Sequence, residues 1–64
     1  MKYFLTEEDE KVSILETTKE THRTLKEQGI KVVGLFGRVD YANIWCDFYN
    51  GKIDRKQLRL KLKI

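Results

Sequence analysis

With 64 residues and one cysteine, this chain is a single domain that no internal disulfide can staple, and one Cys with one His falls short of the three or four ligands of a zinc site. A chain of about 60 residues buries only ~60% of the surface its unfolded form exposes, so efficient packing or self-association must make up the difference; a homodimer is the expectation. The net charge of +3 is unevenly spread: residues 1–20 carry six acids against three bases, residues 41–64 six bases against two acids.

The lone thiol, the 36% of charged residues and the brief apolar start of "MKYFLTEEDE" lead to the expectation of a cytoplasmic protein without a secretory leader. No apolar run approaches the ~20 residues of a membrane span.

"KYFL", short, aromatic and flanked by polar residues, reads as a strand over residues 2–5. A long helix is predicted over residues 7–28. Thr6 is a natural N-cap for the amide of Asp9, Glu7 to Glu10 set negative charge against the positive end of the helix dipole, and Gly29 supplies a left-handed terminator. Its apolar stripe is thin, with Val12, Leu15, His22 and Leu25 on one side and Ile14 off it. His22 thus stands where an apolar residue belongs, and is read as a partly buried, hydrogen-bonded imidazole in preference to a pH switch or general base.

"IKVVGLFGRV" places apolar residues on both faces of a strand over 31–38, the pattern of a central strand covered twice. Gly34 and Gly37 lack the Lys and Ser or Thr of a phosphate loop, and fit a bulge or the close approach of another element.

"VDYANIWCDFYNG" has two readings. As a helix over 41–50 it has Asp40 as N-cap, Tyr41, Ile44, Trp45 and Phe48 at helical spacing, and Gly51 as terminator. As a hairpin turning at Asn50-Gly51 it requires a bulge to restore the alternation, so the helix is preferred.

The C-terminal "KIDRKQLRLKLKI" is also double. Asp54 and Gln57 form a potential capping box, with Ile53 and Leu58 placed as a hydrophobic staple. Against this, Leu58, Leu60, Leu62 and Ile64 share one face only in a strand. Two strands joined by a long helix as a parallel β-α-β unit need a third strand for stability. One helical turn at 54–58 followed by a strand over 59–64 is therefore expected. The fold class is α+β: a three-stranded sheet (2–5, 31–38, 59–64) packed with a long helix (7–28) and a short one (41–50).

The residues argue against catalysis. The only serine, Ser13, falls inside the predicted helix; Cys46 beside Trp45 reads as packing, and nothing requires it to meet His22. Asp40 is explained as a cap and Asp47 as a solvated side chain, so no metal or other cofactor is called for.

Two binding functions remain. The first is an interaction or regulatory module that docks on a larger protein through an edge strand or through Tyr41, Trp45 and Tyr49, aromatics that a small core cannot all absorb. The alternative is nucleic-acid binding by Lys52, Arg55, Lys56, Arg59, Lys61 and Lys63. A strand would line up Arg59, Lys61 and Lys63 on one face about 7 Å apart, near the spacing of phosphates. Membrane-surface binding by a basic amphipathic tail gains weight only if residues 54–64 are helical.

Overall fold

The computed structural model describes residues 1–63. The chain is an α+β fold: strands β1 (Lys2–Glu8) and β2 (Lys11–Thr17), helix α1 (His22–Glu27), strand β3 (Lys31–Phe36), and helices α2 (Val39–Tyr49) and α3 (Arg55–Leu62). The three strands form one antiparallel sheet in the order β2-β1-β3.

The long helix predicted over 7–28 is replaced by a hairpin and six residues of helix. Asp9 and Glu10 form its two-residue turn, both with positive φ (52° and 66°), the primed geometry whose twist matches a hairpin. The usual Asn-Gly or Asp-Gly is missing, which hid the turn among acids that read equally well as a helix start. Tertiary burial outweighs that local signal. The hairpin pairs Leu5 with Ile14 and Glu7 with Val12, so Leu5, Val12 and Ile14 share a sheet face, whereas a helix would strand Ile14. Thr6, expected as a cap, is a strand residue.

Helix begins only at His22. Thr21 is the true N-cap, in a capping box with Thr24, and the expected terminator Gly29 is in place with φ +80°. The amides of Gly29 and Ile30 donate to the carbonyls of Lys26 and Leu25, closing the helix as a Schellman motif. His22 is exposed at the first turn, not partly buried.

The central strand is β1, and the strand expected in the centre at 31–38 runs only from Lys31 to Phe36 at an edge. Phe4 and Leu5, on opposite faces of β1, are both 0% exposed, while Leu35 on β3 is 52% exposed. On one face, Leu5, Val12 and Ala42 form a cluster against which Tyr3, Ile14, Val33, Phe36, Trp45 and Cys46 pack. Phe4 lies on the other face. β2 and β3 occupy opposite edges and run the same way, so the segment between them crosses over β1; it is on Phe4's side that α1 and its buried Leu25 cover the sheet. The parallel β-α-β unit foreseen from strands 2–5 and 31–38 does not form: those segments pair antiparallel as β1 and β3, and the crossover that exists joins β2 to β3 around β1.

Gly34 behaves as expected of a close approach. A bulge at Val33 interrupts the pairing with β1 between Leu5 and Thr6, and a Cβ on Gly34 would lie 3.1 Å from the Phe36 ring and 3.4 Å from Leu5.

The short helix is confirmed as α2, with different capping. Its N-cap is Arg38, and Asp40 sits in the first turn, 3.0 Å from the Arg38 guanidinium. Gly51, φ +76°, ends it, with Lys52 N–H donating to the carbonyl of Asp47 at 2.8 Å.

The strand expected over 59–64 is helix α3 through Leu62; Ile64 lies outside the described residues. The capping box read from the sequence forms: Gln57 N–H donates to Asp54 Oδ1 at 2.8 Å, and Asp54 N–H donates to Gln57 Oε1 at 3.0 Å. With β2 supplying the third strand, nothing draws the C-terminus into the sheet, and its local preference prevails. The leucines divide accordingly: Leu58 is buried, Leu62 half-buried, and Leu60, turned outward, is 70% exposed.

Candidate functional site

The feature richest in chemistry is an open groove between α2 and α3. Trp45, Phe48, Leu58 and Leu62 give it an apolar floor, Arg55 and Arg59 line it with charge, and its volume is about 440 Å³. On α3, Leu58 and Leu62 are one turn apart, as are Arg55 and Arg59, so the capping box that starts the helix turns all four toward α2.

Aromatic rings build the α2 side. Trp45 stacks on Phe36 of β3 with ring centroids 6.3 Å apart, meets Phe48 edge-on at 5.9 Å, and lies 6.1 Å from Tyr49. Contacts on several sides hold the indole at the rim of the core, half-buried, while Tyr49 is exposed. Tyr41 stands apart. It is exposed, and its ring lies under the Arg38 guanidinium at 5.4 Å, a cation–π contact.

The structure therefore divides the two predicted residue sets and joins parts of each. Trp45 and Tyr49 of the aromatic set are together; Tyr41 is not part of the groove. Of the basic set, Arg55 and Arg59 enter the groove beside Trp45, whereas Lys56, Lys61 and Lys63 lie elsewhere on or after α3. Lys52 lines a separate depression with Glu10, Lys11, Val12, Ser13 and Asn50. The ladder of Arg59, Lys61 and Lys63 dissolves, because at ~100° per residue a helix turns Lys61 away from the other two. Among the described residues none of these six cations forms an ion pair.

The condition for the membrane-surface reading, a helical 54–64, is met over Arg55–Leu62. The apolar side of that helix is spent on α2, however, leaving only Leu60 directed outward. Among the described residues no helix is long and apolar enough to cross a membrane.

Cys46 and His22 are not brought together. α1 and α2 make no contact, and the Cys46 thiol donates to the carbonyl of Val12 at 3.2 Å. Burial pushes the Cys46 thiol up from its usual value near 9.0, and neighbouring Asp47 pushes the same way; Lys52 and a hydrogen bond from Asn50 oppose the rise.

No protein family, curated protein or solved structure matches this chain. The site stands on its own geometry.

The roles of three residues, two in the groove and one beside it, escape the sequence reading. Leu62 falls in the strand expected over 59–64 and Leu58 at the end of a single helical turn, although the capping box upstream carries the signal for the longer helix that forms. Asn50 reads as half of an Asn-Gly turn, yet its side chain is a bridge: Val12 N–H donates to its Oδ1 and its Nδ2 donates to the Val12 carbonyl, each at 2.8 Å. No local pattern distinguishes an asparagine that turns a chain from one that reaches another strand.

Proposed function

We propose that this chain is a non-catalytic interaction module that binds a segment of a larger protein in the α2–α3 groove. One observation carries the reading: the groove sets two guanidinium groups, Arg55 and Arg59, that form no ion pair among the described residues, beside an apolar floor of Trp45, Phe48, Leu58 and Leu62. Such a surface complements a segment that carries an apolar or aromatic anchor with carboxylates next to it. Trp and Arg in a partly enclosed pocket are also the side chains that most often dominate binding energy, at ~2 kcal/mol or more each.

The test is selection of random displayed peptides on the immobilised chain and on an Arg55→Gln/Arg59→Gln variant. These residues are exposed, so the variant keeps its fold. The expected result is enrichment of acidic–apolar peptides on the unaltered chain alone. Binding then shifts the emission of Trp45, the only tryptophan. Equal enrichment on both proteins, or none on either, rejects the groove.

The second reading is nucleic-acid binding. Its support is the run of cations at Lys52, Arg55, Lys56, Arg59, Lys61 and Lys63, which form no ion pair among the described residues and in which Asp54 is committed to capping α3. A single-stranded oligonucleotide engaging all six would show a log–log salt slope near ~−4, which Lys56→Gln/Lys61→Gln/Lys63→Gln would roughly halve. Peptide binding in the groove is indifferent to that triple variant.

A further inference from the structure

We propose that two copies of this chain pair through the free edge of β2, antiparallel and centred on Leu15, to make one six-stranded sheet. The hairpin settles which backbone groups of β2 are free. A two-residue turn closes on a hydrogen-bonded pair, here Glu8 with Lys11, and such pairs then alternate with non-hydrogen-bonded ones along the ladder. Val12, Ile14 and Glu16 thus direct their N–H and C=O groups away from β1. Asn50 corroborates this by engaging both groups of Val12 from outside.

Those two hydrogen bonds close one end of the edge. At the other end the Thr17 hydroxyl accepts from the amides of Lys19 and Glu20 and turns the chain away. Between them lies a window of two residues, Ile14 and Glu16, whose outward backbone groups meet nothing among the described residues. Unpaired strand edges are templates for another strand.

The window selects its occupant by symmetry. A twofold axis at Leu15 sets Ile14 opposite Glu16 of the second copy, and Glu16 opposite Ile14, giving four interchain hydrogen bonds with no free group left over. An axis at Ile14 would require Val12, which Asn50 already holds. The Leu15 register also pairs Ser13 with Thr17 across the seam and brings the two half-buried Leu15 side chains together on the axis. The opposite edge of the sheet is less suited, because the bulge at Val33 breaks β3. The dimer enlarges the sheet of a chain whose own core is small. One feature opposes it: the two Glu16 carboxylates become diagonal neighbours at ~7–8 Å, so added salt tightens the pair, whereas occupancy of the groove by an acidic segment weakens.

The test combines mass and register, with Cys46→Ser as the background. Leu15→Cys places two thiols at a non-hydrogen-bonded pair, where Cα atoms stand ~4.5 Å apart, within disulfide range. Ser13→Cys, facing Thr17 of the second copy, does not. Under a mild oxidant the Leu15→Cys chains are expected to cross-link and the Ser13→Cys chains to remain single. Glu16→Pro removes only an outward N–H, so it leaves the β1–β2 ladder whole and is expected to stay at 7.7 kDa in sedimentation where the unaltered chain reaches twice that mass. An unaltered chain that stays monomeric up to millimolar concentration overturns the proposal. So does cross-linking at Ser13 as fast as at Leu15, or a Glu16→Pro chain that is folded by circular dichroism and still dimeric.

Discussion

Asn50→Ala is the perturbation that most directly probes how this sheet is held. The Asn50 amide spans 38 residues of sequence to make two 2.8 Å hydrogen bonds with the Val12 backbone, tying the end of α2 to the edge strand. A net ~0.5–1.5 kcal/mol per bond gives ~1–3 kcal/mol. Water can reach the vacated edge, so the lower half of that range applies, about 1–2 kcal/mol, or a fall in Tm of roughly 4–16 °C for a domain of this size. Thermal and urea unfolding followed by circular dichroism measure the loss. Amide exchange locates it: the Val12 N–H, protected despite lying on an edge, is expected to exchange as fast in Asn50→Ala as an open strand amide. Asn50→Asp adds a control of nearly the same shape. It keeps an acceptor for the Val12 N–H but sets a carboxylate oxygen against the Val12 carbonyl, so at neutral pH it forfeits at least one of the two bonds. A stability change below ~0.3 kcal/mol for Asn50→Ala, with Val12 protection intact, would show that the bridge holds nothing.

Three further outcomes are expected. Glu10→Gly relieves one of two L-residues held at positive φ in the β1–β2 turn and should stabilise the chain by about 1 kcal/mol, read as a higher urea midpoint at unchanged slope; no gain refutes strain at the turn. Asp54→Ala removes the capping box of α3 at a cost of about 1 kcal/mol, and, because α3 forms one wall of the groove, should lower its affinity for acidic–apolar peptides in parallel. The Cys46 thiol, raised by burial, should react with iodoacetamide more slowly at pH 8 than the same thiol in urea. The linked stability has a definite sign: it is fully present below the unfolded value near 9.0 and is lost as the pH rises above it. A flat stability profile from pH 8 to 10 in wild type compared with Cys46→Ala refutes the linkage.

The parts of the fold that were legible were those with complete local codes. The Asp54–Gln57 capping box, the α2 spacing of Ile44, Trp45 and Phe48, and the glycine terminators at 29 and 51 each involve residues within a turn or two of one another. The hairpin was illegible because Asp9 and Glu10 adopt positive φ without glycine or asparagine to announce it, amid four acids that suit a helix start. Misplacing that one turn moved the third strand to the C-terminus and the sheet centre to β3.

The candidate site divides along the same line. Composition supplied its ingredients, a cluster of aromatics and an excess of cations after residue 50. Only the tertiary fold decided that Trp45 meets Arg55 and Arg59 while Tyr41 does not, and that Asn50 closes one end of a strand edge. The sequence by itself determined the α+β class, the capping box that starts α3 and the glycine terminators after α1 and α2, since caps and terminators act through hydrogen bonds a few residues long. Strand order, edge and groove depend on which apolar surfaces are buried together across the whole chain, and that choice is made by the sum of nonlocal contacts rather than by any short run of residues.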